Sequence, residues 1–194
     1  EMLGQVLAGL QGHYPGVTGR CFVDTAPLLE KQWAIEAGLG RRGRNSLLIT
    51  PQFGSFVFLG EIVLDAVSDR YDSQLEGDPC GECTLCIDTC PAGALVPPAL
   101  VDARRCISRL TVEKLGEDEE VDTESLNGWL FGCDECQSCC PHNQRTPLFG
   151  NERFTPVIPP ETANIGFWES LTEEKFNDIF GDTPVERAGY ERIK

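Results

Sequence analysis

Two cysteine blocks, each closed by Cys-Pro, constrain what this chain can fold around. The first, Cys80-Gly-Glu-Cys83-Thr-Leu-Cys86-Ile-Asp-Thr-Cys90-Pro91, is spaced C-x2-C-x2-C-x3-C-P. The second, Cys133-Asp-Glu-Cys136-Gln-Ser-Cys139-Cys140-Pro141, is spaced C-x2-C-x3-C-P. Nine of the ten cysteines lie between Cys80 and Cys140, and three chemistries compete for such a pattern. A disulfide scaffold suits a small secreted chain, whereas this one has 194 residues and a start without a basic stretch. Zinc sites usually take four ligands in two pairs. Iron–sulfur sites place three thiolates on a short loop and a fourth just before proline. The chain matches the last case twice, which predicts two 4Fe–4S clusters.

The spacing has a physical basis. Two residues between ligands let three thiolates line one concave loop, whose N–H groups offset the negative charge of the cluster. The fourth cysteine points away, and a proline after it suits the first turn of a helix, expected here over residues 92–96. In two-cluster ferredoxins that fourth cysteine serves the other cluster. Crossing therefore gives Cys80, Cys83, Cys86 and Cys140 to one cluster, and Cys90, Cys133 and Cys136 to the other. The second needs one more thiolate, and spacing leaves both Cys106 and Cys139 open. Cys21 lies far from both blocks and reads as a core thiol.

A formal charge of −15 argues against a generic nucleic-acid coat, which needs a basic surface. Two local basic groups stand out, Arg41/Arg42/Arg44 and Arg104/Arg105/Arg109. No apolar run approaches the roughly 20 residues of a membrane-spanning helix, so no membrane partner is expected. The chain opens on Glu1 rather than Met, as expected of a piece of a longer protein.

Patterning predicts an α+β fold. Helices are expected over 1–12, 27–37, 102–116 and 170–180, the last capped by Thr172. Strands are expected near 20–25, 46–50 and 56–59, with a turn over 50–54, and Glu61 to Ala66 continuing or ending that sheet. Residues 39–43 read as a turn-rich connector. Residues 1–72 thus form an α/β region, 73–148 a two-cluster ferredoxin-like domain, and 149–194 an appendage.

Further segments carry a resemblance. Val23-Asp24-Thr25, Ala37-Gly38-Leu39-Gly40, Gly43-Arg44-Asn45-Ser46-Leu47-Leu48-Ile49, Phe53-Gly54-Ser55 and Leu59-Gly60-Glu61 are among them. They continue through Asp102-Ala-Arg-Arg-Cys106-Ile and Phe131-Gly132-Cys133-Asp134-Glu-Cys136. Together these resemble the epoxyqueuosine reductases, cobalamin-dependent iron–sulfur enzymes of queuosine biosynthesis in tRNA. The resemblance covers nearly the whole chain. It implies that residues 1–72 are the C-terminal part of a cobalamin-binding α/β domain. Family members carry further residues before the matching segment, and many continue past it into helical repeats.

The resemblance implies Cys106 as the missing ligand of the second cluster, and sets Cys139 aside. It implies Asp24 as the proton donor; alone, an aspartate after a strand reads as a cap or turn residue. Removing an epoxide oxygen to leave an alkene takes two electrons and two protons, and a donor buried in an apolar pocket would keep its proton near neutrality. The matching positions also imply cobalamin contacts at Leu48, Leu59, Cys133 and Asp134, and a tRNA contact at Lys114. Where the family usually has an aromatic residue, this chain has Arg41. The chain has no Asp-x-His-x-x-Gly segment for histidine-ligated cobalamin; His13 and His142 are its only histidines. The expected partners are a tRNA substrate and a low-potential electron donor, for a cytoplasmic monomer. Two other readings compete: a stand-alone two-cluster electron carrier, and an enzyme like the corrinoid reductive dehalogenases.

Overall fold

The computed structural model describes residues 2–24, 26–113, 121–146 and 154–193. Two compact units emerge: Glu1–Cys83 with Pro141–Thr146, and Thr84–Cys140 with Pro147–Lys194. The division falls inside the first cysteine block rather than at 72/73, and the described residues 154–193 go with the second unit. The elements are short helices and two-residue to four-residue strands, an α+β arrangement.

In the first unit, helix α1 (Met2–His13) buries none of its residues. It precedes strand β1 (Gly19–Phe22). Helix α2 (Glu30–Glu36) ends at Ala37, and Gly38 follows in a left-handed backbone (φ +70°), where a Cβ would meet the Ser73 carbonyl. The sequence reading took residues 39–43 as a connector; Arg41–Arg42 is instead strand β2, paired antiparallel with β3 (Leu48–Ile49). The glycines that suggested a turn serve close approach: a Cβ on Gly40 would sit 2.5 Å from the Ile49 carbonyl oxygen. The expected 50–54 turn is present, closed by Thr50 and Gly54 across an isolated bridge. Residues 56–59, expected as a strand, pair with nothing in the described sheets, and Phe58 is 85% exposed. Strand β4 (Glu61–Leu64) pairs antiparallel with β1, setting Glu61 opposite Phe22. Asp65 extends the pairing by accepting from both the Thr18 N–H and its hydroxyl, at 2.7 and 2.8 Å. Both partners hold the Asp65 carboxyl below its usual range. The core here is small: Ala34, Asn45, Leu48, Ile49 and Ser55 are buried.

In the second unit, α3 (Leu85–Thr89) carries Cys86 and ends on Cys90. The helix expected after Pro91 is absent. Gly93 is left-handed (φ +53°) with the Arg105 guanidinium against it, and Leu95–Val96 forms β5, paired with β6 (Leu100–Val101). Helix α4 (Ile107–Val112) starts five residues later than expected, because Asp102 first closes a turn through the N–H groups of Arg105 and Cys106. The sequence of residues 117–120, Glu-Asp-Glu-Glu, reads as an acidic loop, and these positions lie outside the described residues. Helix α5 (Glu135–Ser138) carries Cys136.

The rest of this unit has its own core. Asn164 caps α6 (Ile165–Ser170) by accepting from the Phe167 N–H. Thr172 caps α7 (Glu173–Phe180), as its sequence predicts. Pro184 opens α8 (Pro184–Ala188), where its missing N–H costs nothing, and α9 (Tyr190–Ile193) follows. Leu171, Phe176, Phe180 and Ile193 are buried together, with Trp168 stacked on Phe180 at 5.9 Å and the Tyr190 hydroxyl donating to the Leu171 carbonyl.

Candidate functional site

None of the ten cysteines forms a disulfide. Cys140 is buried and the other eight of the two blocks and α4 are partly buried, while Cys21 is exposed. Cys21 does not take the core role expected for it: it is exposed on β1, which among the described residues pairs only with β4.

In the second unit, α3 and α5 pack against each other, and chain segments bearing Cys86, Cys90, Cys106, Cys133 and Cys136 are brought together. The Cys136 thiol is pushed up to about 12, first by burial and then by the charges of Cys133, Cys106, Cys86 and Cys90. Burial also raises Cys133; a backbone hydrogen bond from Glu135 opposes the rise, and the charges of Glu135, Cys106 and Cys90 add to it. Cys106, the residue in doubt on spacing, therefore acts on both. Cys139 is the C-cap of α5, its N–H bonded to the Glu135 carbonyl.

Thiols that oppose one another's ionisation suit a cationic iron core, because cluster binding requires thiolates and releases their protons. Backbone donors to sulfur fit the same use. The Ala94 N–H reaches Cys90 Sγ at 3.3 Å in the second unit. In the first unit, the Arg44 N–H reaches Cys80 Sγ at 3.3 Å. Among the described residues, no three His, Cys, Asp or Glu side chains converge as a single metal ion would require.

In the first unit, Cys80 and Cys83 lie on a loop held by the basic group noted in the sequence. Arg41 donates to the Glu76 carbonyl at 2.7 Å, and Arg44 to the Gly81 carbonyl at 2.6 Å. These arginines thus have a local structural use, and Arg104 likewise pairs with Asp102 at 2.9 Å. His142 bonds the Pro79 carbonyl through Nε2 at 2.8 Å, fixing the chain beyond Pro141 to the same loop.

Leu48 and Leu59 line one open groove of about 430 Å³. Leu39, Phe53, Val57, Phe58 and Leu75 add to its largely apolar wall. The other two residues matched to cobalamin contacts, Cys133 and Asp134, belong to the second unit, directly before α5.

Asp24 follows β1 in a left-handed backbone (φ 56°), uncommon for a residue with a side chain and tolerated best by Asn and Asp. Among the described residues Asp24 is exposed, without the apolar enclosure expected for it. Glu61 escaped notice in the sequence as a functional residue. One of its carboxylate oxygens is sealed from solvent with no hydrogen-bond partner, and burial, then Glu30 and Asp24, raises its pKa. Only its place opposite Phe22 in the β1–β4 register could have signalled this. Lys114, the matched tRNA contact, lies outside the described residues.

Comparison with known proteins supports the cluster-binding region and shows what the whole chain resembles. A family described as a 4Fe-4S double cluster binding domain matches residues 79–143, so this region binds 4Fe–4S clusters. The epoxyqueuosine reductase of Cyclobacterium marinum is 39% identical over 98% of the chain. A crystal structure of selenomethionine-labelled epoxyqueuosine reductase superposes with a TM-score of 0.86 at 31% identity, again over 98% of the chain. The chain is similar to epoxyqueuosine reductases along nearly its whole length. Another epoxyqueuosine reductase structure, in complex with an epoxyqueuosine-modified tRNA-Tyr stem loop, matches 97% of the chain with a TM-score of 0.84 and 31% identity. The chain spans 60% of the Cyclobacterium epoxyqueuosine reductase and 50% of each of these two solved chains.

Proposed function

We propose that this chain serves a cobalamin-dependent oxidoreductase that reduces epoxyqueuosine to queuosine in tRNA. One observation carries the reading. A chain related to epoxyqueuosine reductases over 98% of its length joins a double-cluster domain to a strand-end aspartate and an apolar groove. A stand-alone electron carrier has no use for Asp24 or the groove, and no feature of the site favours a dehalogenase.

The reaction breaks both C–O bonds of the epoxide, forms a carbon–carbon double bond and releases the oxygen as water. It consumes two electrons and two protons. Cobalamin, when bound, supplies electrons at low potential, which 4Fe–4S clusters can reach. Leu48 and Leu59 would hold it by apolar contact, with Cys133 and Asp134 as its contacts from the cluster module. Asp24 gives its proton to the departing oxygen, and its position on a short loop after β1 lets it approach the substrate. On the sequence pattern, Cys80, Cys83, Cys86 and Cys140 ligate the first cluster, and Cys90, Cys106, Cys133 and Cys136 the second. Lys114 contacts the tRNA, and a low-potential donor reloads the clusters. No described helix is long and apolar enough to cross a membrane; a cytoplasmic monomer is the setting we assign.

Anaerobic purification with cobalamin tests the reading. About eight irons with stoichiometric corrin are expected. Eight irons without corrin would return the electron carrier to favour. Asp24→Ala in the full-length enzyme should abolish turnover while both cofactors stay bound, and retained turnover would remove Asp24 from the mechanism. Cys106→Ala should lose about half the iron, and Cys139→Ala none; equal iron in Cys106→Ala and wild type would refute the ligand set.

A further inference from the structure

Thr111 is 1% exposed, one of the two largest fully buried side chains, and its hydroxyl is used in both directions. It donates to the Ile107 carbonyl at 2.7 Å and accepts from the Gly132 N–H at 2.9 Å. The first bond is a common habit of threonine within helices. The second spans 21 residues and is not. Ile107 follows Cys106, and Gly132 precedes Cys133. One buried hydroxyl therefore ties the residue that follows one cysteine to the residue that precedes the other.

The chemistry fixes the roles. A threonine hydroxyl has one proton, and the Ile107 carbonyl can only accept it. The oxygen is then left with lone pairs for the Gly132 amide. Gly132 is left-handed (φ +70°), a backbone state that glycine adopts without strain, and this turn sets where Cys133 starts. Without the hydroxyl, the N–H of that turn would lose the acceptor that Thr111 gives it.

We propose that Thr111 is a positioning residue for the second cluster, fixing the separation of Cys106 and Cys133 through its bridging hydroxyl. The inference rests on the reading that these two cysteines ligate the same cluster. A residue that orients metal ligands from outside the coordination shell typically changes metal retention about 10–100-fold. Thr111 touches neither cluster nor substrate in this role; it acts through the backbone of its neighbours.

The test uses the anaerobically purified holoprotein. Thr111→Val keeps the shape and removes the hydroxyl, whereas Thr111→Ser keeps the hydroxyl and removes the methyl. The readouts are iron and sulfide per chain, release of iron to a chelator, and the electron paramagnetic resonance spectrum of each reduced cluster. Thr111→Val should release iron from one cluster about tenfold faster and alter that cluster's spectrum alone, and Thr111→Ser should stay near wild type. Where Thr111→Val does not fold, Thr111→Ala against Thr111→Ser makes the same comparison. Equal iron release and equal spectra for the hydroxyl-bearing and hydroxyl-free variants would overturn the proposal. So would equal damage to both clusters, which marks a general packing role. Cys106→Ala separates the two readings. If it leaves iron content unchanged, the ligand assignment has failed; if it loses one cluster while the Thr111 variants are alike, only the positioning role has.

Discussion

Ser55 and Asn143, 88 positions apart, exchange two hydrogen bonds: the Ser55 N–H donates to Asn143 Oδ1 at 2.7 Å, and Asn143 Nδ2 donates to the Ser55 hydroxyl at 2.9 Å. The segment after Cys140-Pro141 is thereby fastened to the turn that borders the Leu48–Leu59 groove. The neighbouring residue must be glycine for this to happen. Gly54 has φ +61°, and a Cβ there would collide with Asn143 Oδ1.

Gly54→Ala should push the Asn143 side chain away and orphan the Ser55 N–H, destabilising the first unit by about 1–3 kcal/mol. Asn143→Ala should cost a similar amount. Because both changes break one pair of bonds, the double variant should lose much less than the sum. Urea denaturation of the four proteins checks this, and additive losses would show that the two residues act separately.

Glu61 predicts a pH dependence. Its folded pKa lies above the ordinary 4.5, chiefly through burial, with Glu30 and Asp24 adding to the effect. A carboxyl raised in the folded state binds its proton more tightly there than in the unfolded chain. Its contribution is fully present below the unfolded value and is lost as pH rises through the folded one. Glu61→Gln removes this dependence, so its melting temperature should gain on wild type between pH 4.5 and neutrality. Thermal melts at both ends of that window decide the matter, and parallel curves would contradict it.

The appended helices supply a stability prediction of another kind. Phe176 is 2% exposed in the Leu171–Phe180–Ile193 cluster, so Phe176→Ala should cost about 3–5 kcal/mol. The Thr172 cap bond is long, at 3.4 Å. Thr172→Ala should therefore fall near the low end for lost caps, about 0.5–1 kcal/mol. Denaturant unfolding followed by Trp168 fluorescence measures both, and a Thr172 loss as large as the Phe176 loss would go against this account.

What could be read in advance depended on how local its cause is. The Thr172 cap and the 50–54 turn were legible because a side chain and its own neighbouring backbone create them. The cysteine blocks were legible because ligand spacing is itself a local rule. Residues 92–96 looked helical after Pro91, but β5 exists only because residues 100–101 return to pair with it. Arg41–Arg42 looked like a connector, since nothing nearby reveals that Leu48–Ile49 will lie alongside. In the site, Asp24, Leu48 and Leu59 came from resemblance, not from periodicity. Glu61 and Thr111 were invisible because the isolation of one carboxylate oxygen and the sharing of one hydroxyl arise only when distant segments meet.

The chain path through the two units has a consequence for inheritance. Residues 141–146 return to the first unit after the chain has passed through the second, and they bring Asn143 and His142 with them. A gene cut after Cys83 would leave the first unit without these anchors, and would divide a cysteine block between two products. Neither unit can be traded between proteins as a cassette by a single recombination. The groove and the cysteines must travel, mutate and be selected as one allele.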